Sequence, residues 1–172
     1  MRRFAILFVV ILLGLFAFEL TPPGQQLVQP WTDLVARAST VVIRAFDGDA
    51  QSVGKMVYST RTGFAMTIEA GCNGVEAAIV LVAAMLAFPA PWRYRAIGIA
   101  IGIAAVQVLN IVRVISLFYI GQWDFAVFEW AHQYVWQALI MLDVLVVWLI
   151  WVRRVPMTSD AAPPAPPALA AG

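Results

Sequence analysis

The chain holds one cysteine and one histidine in 172 residues, and only 12% of it is charged. A single cysteine excludes an internal disulfide and leaves thiol chemistry as the intramolecular role open to Cys72. One histidine beside one cysteine supplies too few ligands for a protein-built zinc site, so no metal and no cofactor is expected. Eleven basic residues against ten acidic ones give a net charge of +1, with no basic surplus for nucleic acid. No internal repeat is present. What the chain has in excess is apolar surface: 62% of its residues are hydrophobic, against about half in a soluble domain. An all-α integral membrane protein is expected.

Arg2 and Arg3 precede an apolar run from Phe4 to Phe18. A basic start and an apolar middle fit a signal peptide, but no small-x-small cleavage pattern follows, so residues 1–20 are read as an uncleaved first transmembrane helix. Residues 21–71 are polar enough to leave the bilayer. Pro30 is expected to open a helix there. Trp31, Leu34, Val35, Ala38, Val42 and Ala45 follow helical spacing, so this amphipathic helix either lies on the membrane surface or packs on the protein. Lys55 to Ile68 is rich in β-branched and aromatic residues around Arg61-Thr62-Gly63, which predicts a small hairpin.

Three more apolar runs follow, Asn73–Phe88, Ala96–Ile120 and Gln133–Val152. They make residues 72–154 a three-helix membrane core and bring the expected spans to about four. The Pro- and Ala-rich segment 155–172 is expected to be a disordered cytoplasmic tail. Arg2 and Arg3, Arg93 and Arg95, and Arg153 and Arg154 flank the runs. Four crossings put all three pairs on one side, the cytoplasm by the positive-inside rule. The 21–71 segment and the loop Gly121–His132 then face outward, in a bacterial inner (cytoplasmic) membrane.

With that topology, Cys72, Arg113 and His132 sit near one outer level on three separate helices. Each has an ordinary reading. A lone membrane cysteine is usually a small apolar residue. A lone histidine beside Trp130, Tyr134 and Trp136 often only hydrogen-bonds at the headgroups. Arg113 is harder to dismiss, because an arginine inside an apolar run is costly and marks a functional site by default. Its structural alternative is an ion pair with Glu76. Asp143 and Gln107 fall at similar depth and are expected to hydrogen-bond across two helices as packing glue. Together the three residues fit acyl transfer at a peptide bond. Cys72 would be the thiolate nucleophile, favoured by the helix N-terminus after it; His132 would be the general acid/base, and Arg113 the oxyanion donor.

The blocks Gly71-Cys72-Asn73-Gly74, Asn110-Ile111-Val112-Arg113-Val114 and His132-Gln133-Tyr134-Val135-Trp136 resemble the three motif blocks of the exosortase/archaeosortase family. The resemblance covers about residues 70–154, and the short length is similar to the exosortase H type. It implies a membrane cysteine transpeptidase or protease acting on exported proteins. Their C-terminal sorting tails carry a short motif, a transmembrane helix and a basic cluster, and the exosortase H type implies an IPTLxxWG-like motif. It carries the catalytic roles onto Cys72, Arg113 and His132, with Asn73, Glu76, Asn110 and Trp136 in support. A nucleophilic acceptor and the lipid bilayer would be the other partners. Trp123, Phe128, Trp130, Tyr134 and Trp136 either line a groove for the motif or form an ordinary aromatic belt. Two readings compete. A non-enzymatic assembly or scaffold protein would use Arg113–Glu76 as a structural pair, and a small transporter would line a polar path with Arg113, Asp143 and Glu76.

Overall fold

The structure, a computed structural model, describes residues 2–156. The expected disordered tail therefore falls, apart from its first two residues, outside the described residues. The elements in order are α1 (Arg2–Glu19), α2 (Pro22–Arg44), β1 (Ala50–Val53), β2 (Met56–Ser59), β3 (Ala65–Thr67), α3 (Val75–Ala87), α4 (Trp92–Trp123), α5 (Phe125–Trp130), a π-helical turn (Ala131–Val135) and α6 (Trp136–Val152). Helices dominate, as expected of an all-α membrane protein.

Apolar helices stand at all four expected places, but they are unequal. Among the described residues, only α4 and the continuous Phe125–Val152 stretch are long and apolar enough to cross a membrane by themselves. α1 has 18 residues and joins α2 through an 80° bend. α3 has 13 residues, a rise of about 20 Å against a hydrocarbon core of about 30 Å. α1 packs along α3, and α3 packs between α4 and α6.

α2 begins eight residues before the expected Pro30. The Thr21 hydroxyl caps it by accepting from the Gly24 N–H, and Pro22 and Pro23 occupy the first two helical positions. A proline there loses no intrahelical bond, because those N–H groups have no partner in any helix. Pro30 lies inside the helix. The face that packs on the protein is built from Thr32, Val35, Ala36, Ser39, Thr40 and Ile43. Leu34 and Val42, expected on the apolar face, are 54% and 40% exposed. Small side chains at Ala36, Ser39 and Thr40 let α2 sit close against its neighbours, with Val35 and Ile43 packed beside them.

The expected hairpin is the β2–β3 pair, joined through Gly63 at φ +73°. A strand was missed: β1 pairs antiparallel with β2, which gives a meander in the order β1-β2-β3. Ala50-Gln51-Ser52-Val53 has little β propensity of its own. The Gly54 turn and the ion pairs from Arg61 to Asp47 and Asp49 hold it in place.

The core has two parts. Leu81, Met85, Val106, Ile140, Val144 and Trp151 fill the space between α3, α4 and α6. Val35, Ile43, Val57, Ile68, Leu117 and Phe118 join α2 and the sheet to the last turns of α4. The expected loop 121–132 is helical almost throughout. α4 runs on to Trp123, and Asp124 caps α5 by accepting from the N–H groups of Ala126 and Val127. Gln107 and Asp143 do not hydrogen-bond to each other; Oε1 of the first and Oδ2 of the second are buried without a partner. Gln107 instead fills the space beside Gly74.

Phe64, after the β2–β3 turn, packs tightly against α4 at Gly121. A Cβ on Gly121 would lie 2.1 Å from Cζ of Phe64, whose ring packs between Phe118 and Phe128. Gly121→Ala is expected to destabilise the protein by about 1–3 kcal/mol. A thermal unfolding series in detergent checks this, and an unchanged midpoint would show that the sheet is not anchored there.

Candidate active site

The nucleophile loop is built by its backbone and its neighbours. Gly74 caps α3 at φ +76°, a left-handed conformation that suits glycine. A side chain there would also collide with the Gln107 amide, 2.6 Å from the Cβ position. Glu76, in the first turn of α3, accepts from the Gly71 N–H and so pulls the loop back over the helix start. Asn73 is 1% exposed and ties the loop to α2. Its Oδ1 accepts from the Val75 N–H at 3.0 Å, its Nδ2 donates to Thr32 Oγ1 at 3.0 Å, and its carbonyl accepts from Trp31 Nε1 at 3.4 Å. The 21–71 segment, for which sequence offered no role, thus supplies the back wall of the loop.

Cys72, Arg113 and His132 meet. Cys72 Sγ lies 2.8 Å from His132 Nε2. Arg113 is 2% exposed; its Nη1 donates to the Gly71 carbonyl at 2.8 Å and its Nη2 to Cys72 Sγ at 3.4 Å. The ion pair with Glu76, the structural alternative for Arg113, is absent among the described residues: Arg113 bonds to the loop's backbone and sulfur, and Glu76 to Gly71. Arg113 Nε is buried with no partner. The Cys72 N–H is committed to the Glu69 carbonyl, so it is not free to receive an oxyanion.

His132 lies in the π-helical turn, one extra residue per turn that rotates its ring off the regular helical path. The ring stacks on Phe128 at 5.8 Å and 8°. Among the described residues no carboxylate hydrogen-bonds to it, so stacking and the sulfur contact set its orientation.

A cavity of about 250 Å³ opens over Cys72, Arg113 and His132. Its other walls include Phe64, Ala65, Met66, Thr67, Phe125 and Phe128. Of the aromatic residues named as a possible groove, only Phe128 lines it. Trp123, Trp130 and Tyr134 are exposed, and Trp136 is buried in the core. The contribution of β3 was missed, because a three-residue strand leaves almost no periodic signal. Asn110 is wholly buried one turn from Arg113, and neither polar atom of its side chain is bonded.

The thiol is not activated in the way the helix N-terminus suggested. Burial raises the Cys72 pKa above the usual cysteine value, and Glu76 and Glu69 add to the rise. The Arg113 guanidinium and the backbone bond to Glu69 oppose it without reversing it. The resting cysteine is therefore held toward its neutral thiol form, in hydrogen-bond contact with the imidazole and beside a guanidinium with no ion-pair partner among the described residues.

The Transmembrane exosortase (Exosortase_EpsH) family model matches residues 1–146. The chain belongs to this family. The match extends over α1, α2 and the sheet, well beyond the motif blocks near residues 70–154 that carry the sequence resemblance. No curated protein and no solved structure gives a significant match.

A raised thiol pKa sets the sign of a pH experiment. At neutral pH this exosortase should hold less thiolate than a free cysteine, and the maleimide labelling rate of Cys72 should climb only above the ordinary cysteine range. Arg113→Met removes the interaction that lowers the pKa and should move the profile further upward. Labelling that is already on its plateau at pH 7 would contradict the neutral-thiol assignment.

Proposed function

We propose that this exosortase is a cysteine transpeptidase or protease that removes C-terminal sorting tails from exported proteins through a Cys72 thioester. The observation that carries the reading is the 2.8 Å contact of Cys72 Sγ with His132 Nε2, with Arg113 donating to the same sulfur. As Cys72 attacks the scissile carbonyl, its proton passes to His132 and negative charge develops on the carbonyl oxygen. Arg113, with its unpartnered Nε and no carboxylate beside it, is the donor left to stabilise that charge. His132 then returns the proton to the departing amine. Water or an amine acceptor attacks the thioester, His132 takes the incoming proton, and sulfur leaves to be reprotonated.

The alternation of three arginine pairs around the apolar helices supports a multi-pass arrangement. By the positive-inside rule the same pattern favours both termini in the cytoplasm and the Cys72 cavity outside. A substrate held by its own transmembrane tail would present its motif at one height, which raises its effective concentration at the thiol.

The test is co-expression with a reporter that carries an IPTLxxWG-like motif, a transmembrane helix and a basic cluster. Cys72→Ala and Cys72→Ser should abolish tail removal while the protein still inserts. Arg113→Lys keeps the charge but loses the planar fork that reaches both Gly71 and Cys72, and should cost about 10²–10³ in rate. His132→Gln should cost about 10²–10⁴. Tail removal that survives Cys72→Ala would refute the proposal and favour the scaffold or transporter reading.

A further inference from the structure

β3 is an edge strand. It pairs with β2 on one side, and among the described residues no strand covers the other. The register fixes which backbone groups that free side presents. Ser59 N–H donates to the Phe64 carbonyl and Ile68 N–H to the Lys55 carbonyl, so the hydrogen-bonded positions of β3 are Phe64, Met66 and Ile68. In an antiparallel ladder these alternate with positions whose N–H and C=O point away from the partner strand. Those positions are Ala65 and Thr67, and their four backbone groups have no partner among the described residues.

An unpaired edge of this kind is a template for another extended chain. Here it has an address. Ala65 and Thr67 line the same cavity as Cys72, Arg113 and His132. Only four residues lie between Thr67 and Cys72 along the chain, and the Glu76–Gly71 and Arg113–Gly71 bonds hold that connection fixed. Phe125 and Phe128 face the edge across the cavity. The side chains of Ala65 and Thr67 are small, so a second backbone has room to approach.

We infer that the substrate's cleavage motif binds as an added β-strand on the free edge of β3, hydrogen-bonded through the backbone of Ala65 and Thr67. The inference rests on the reading of Cys72 as the nucleophile and supplies what that reading lacks, a device that orients the scissile bond. Strand addition takes affinity from main-chain hydrogen bonds and leaves specificity to side-chain pockets. It also selects an extended segment. A peptide bond within a helix has its carbonyl already bonded, whereas an extended one offers that carbonyl to the thiol and Arg113.

Proline tests this cleanly, because an edge position with an outward N–H tolerates it within the fold. The full-length protein in phospholipid nanodiscs, supplied with the IPTLxxWG-like tail reporter, is compared with Ala65→Pro and Thr67→Pro. Each should lower the rate of tail removal roughly tenfold for one lost hydrogen bond. Iodoacetamide labelling of Cys72 and the unfolding midpoint should stay at wild-type values. Ala65→Ser, which keeps the backbone donor, should lose far less of the rate than Ala65→Pro. Synthetic reporters N-methylated at single motif positions leave the enzyme untouched and should fail at alternate residues, the period of a strand. Full cutting of every N-methylated reporter, or loss at consecutive rather than alternate positions, would overturn the inference alone. A wild-type protein that leaves the unmodified reporter intact would overturn the reading beneath it as well.

Discussion

A buried guanidinium without a carboxylate partner is the constraint around which the rest of the structure is arranged. Placing a charge where Arg113 lies is costly, and the usual remedy is an acidic neighbour. Glu76, in the first turn of α3, is the acidic residue that depth along the helices offers, yet it bonds to the Gly71 N–H instead. Arg113 takes the carbonyl of the same residue and the sulfur of the next. The two charges thus clamp one glycine from opposite ends of its backbone, and the positive one stays electrostatically unspent. With the thiol neutral at rest, negative charge appears beside Arg113 only when chemistry begins. An interaction that strengthens as the reaction proceeds lowers the barrier, whereas one already satisfied in the resting state does not.

The surrounding elements serve this arrangement at one remove. α2 reaches the loop through Thr32 and Trp31 on Asn73. The sheet sits on the last turns of α4 through Gly121 and Phe64, which brings β3 over the sulfur. The π-helical turn aims His132 inward while letting the helix continue unbroken toward the far side. None of these elements carries a reactive group apart from the histidine, but each fixes the position of one.

What was legible in the sequence followed from cost. An arginine in an apolar run, a lone thiol at a polar-to-apolar boundary and a lone histidine at another are conspicuous because bilayers penalise them, and their convergence could be read from helix ends alone. Features decided by competition were not legible. Thr21-Pro22-Pro23 outranked Pro30 as a helix start because a capping hydroxyl and two N-terminal prolines act together. The Arg113–Glu76 and Gln107–Asp143 pairings satisfied charge and depth, but depth along a helix does not fix rotation about it. The thiol's raised pKa follows from packing around Cys72, which outweighs a helix terminus visible in the sequence. β1 and the π-helical turn are too short to leave a period.

The 13-residue length of α3 has a mechanical consequence. Gly74 abuts Gln107, and from Gln107 to Trp123 α4 rises a further stretch of about 24 Å. α3 is enclosed by α1, α4 and α6 and none of its residues is exposed, so its shortness makes a recess and not a lipid-facing step. The Cys72 loop at its start lies beside the middle of α4, and a scissile bond has to be carried down along α4 to reach the sulfur.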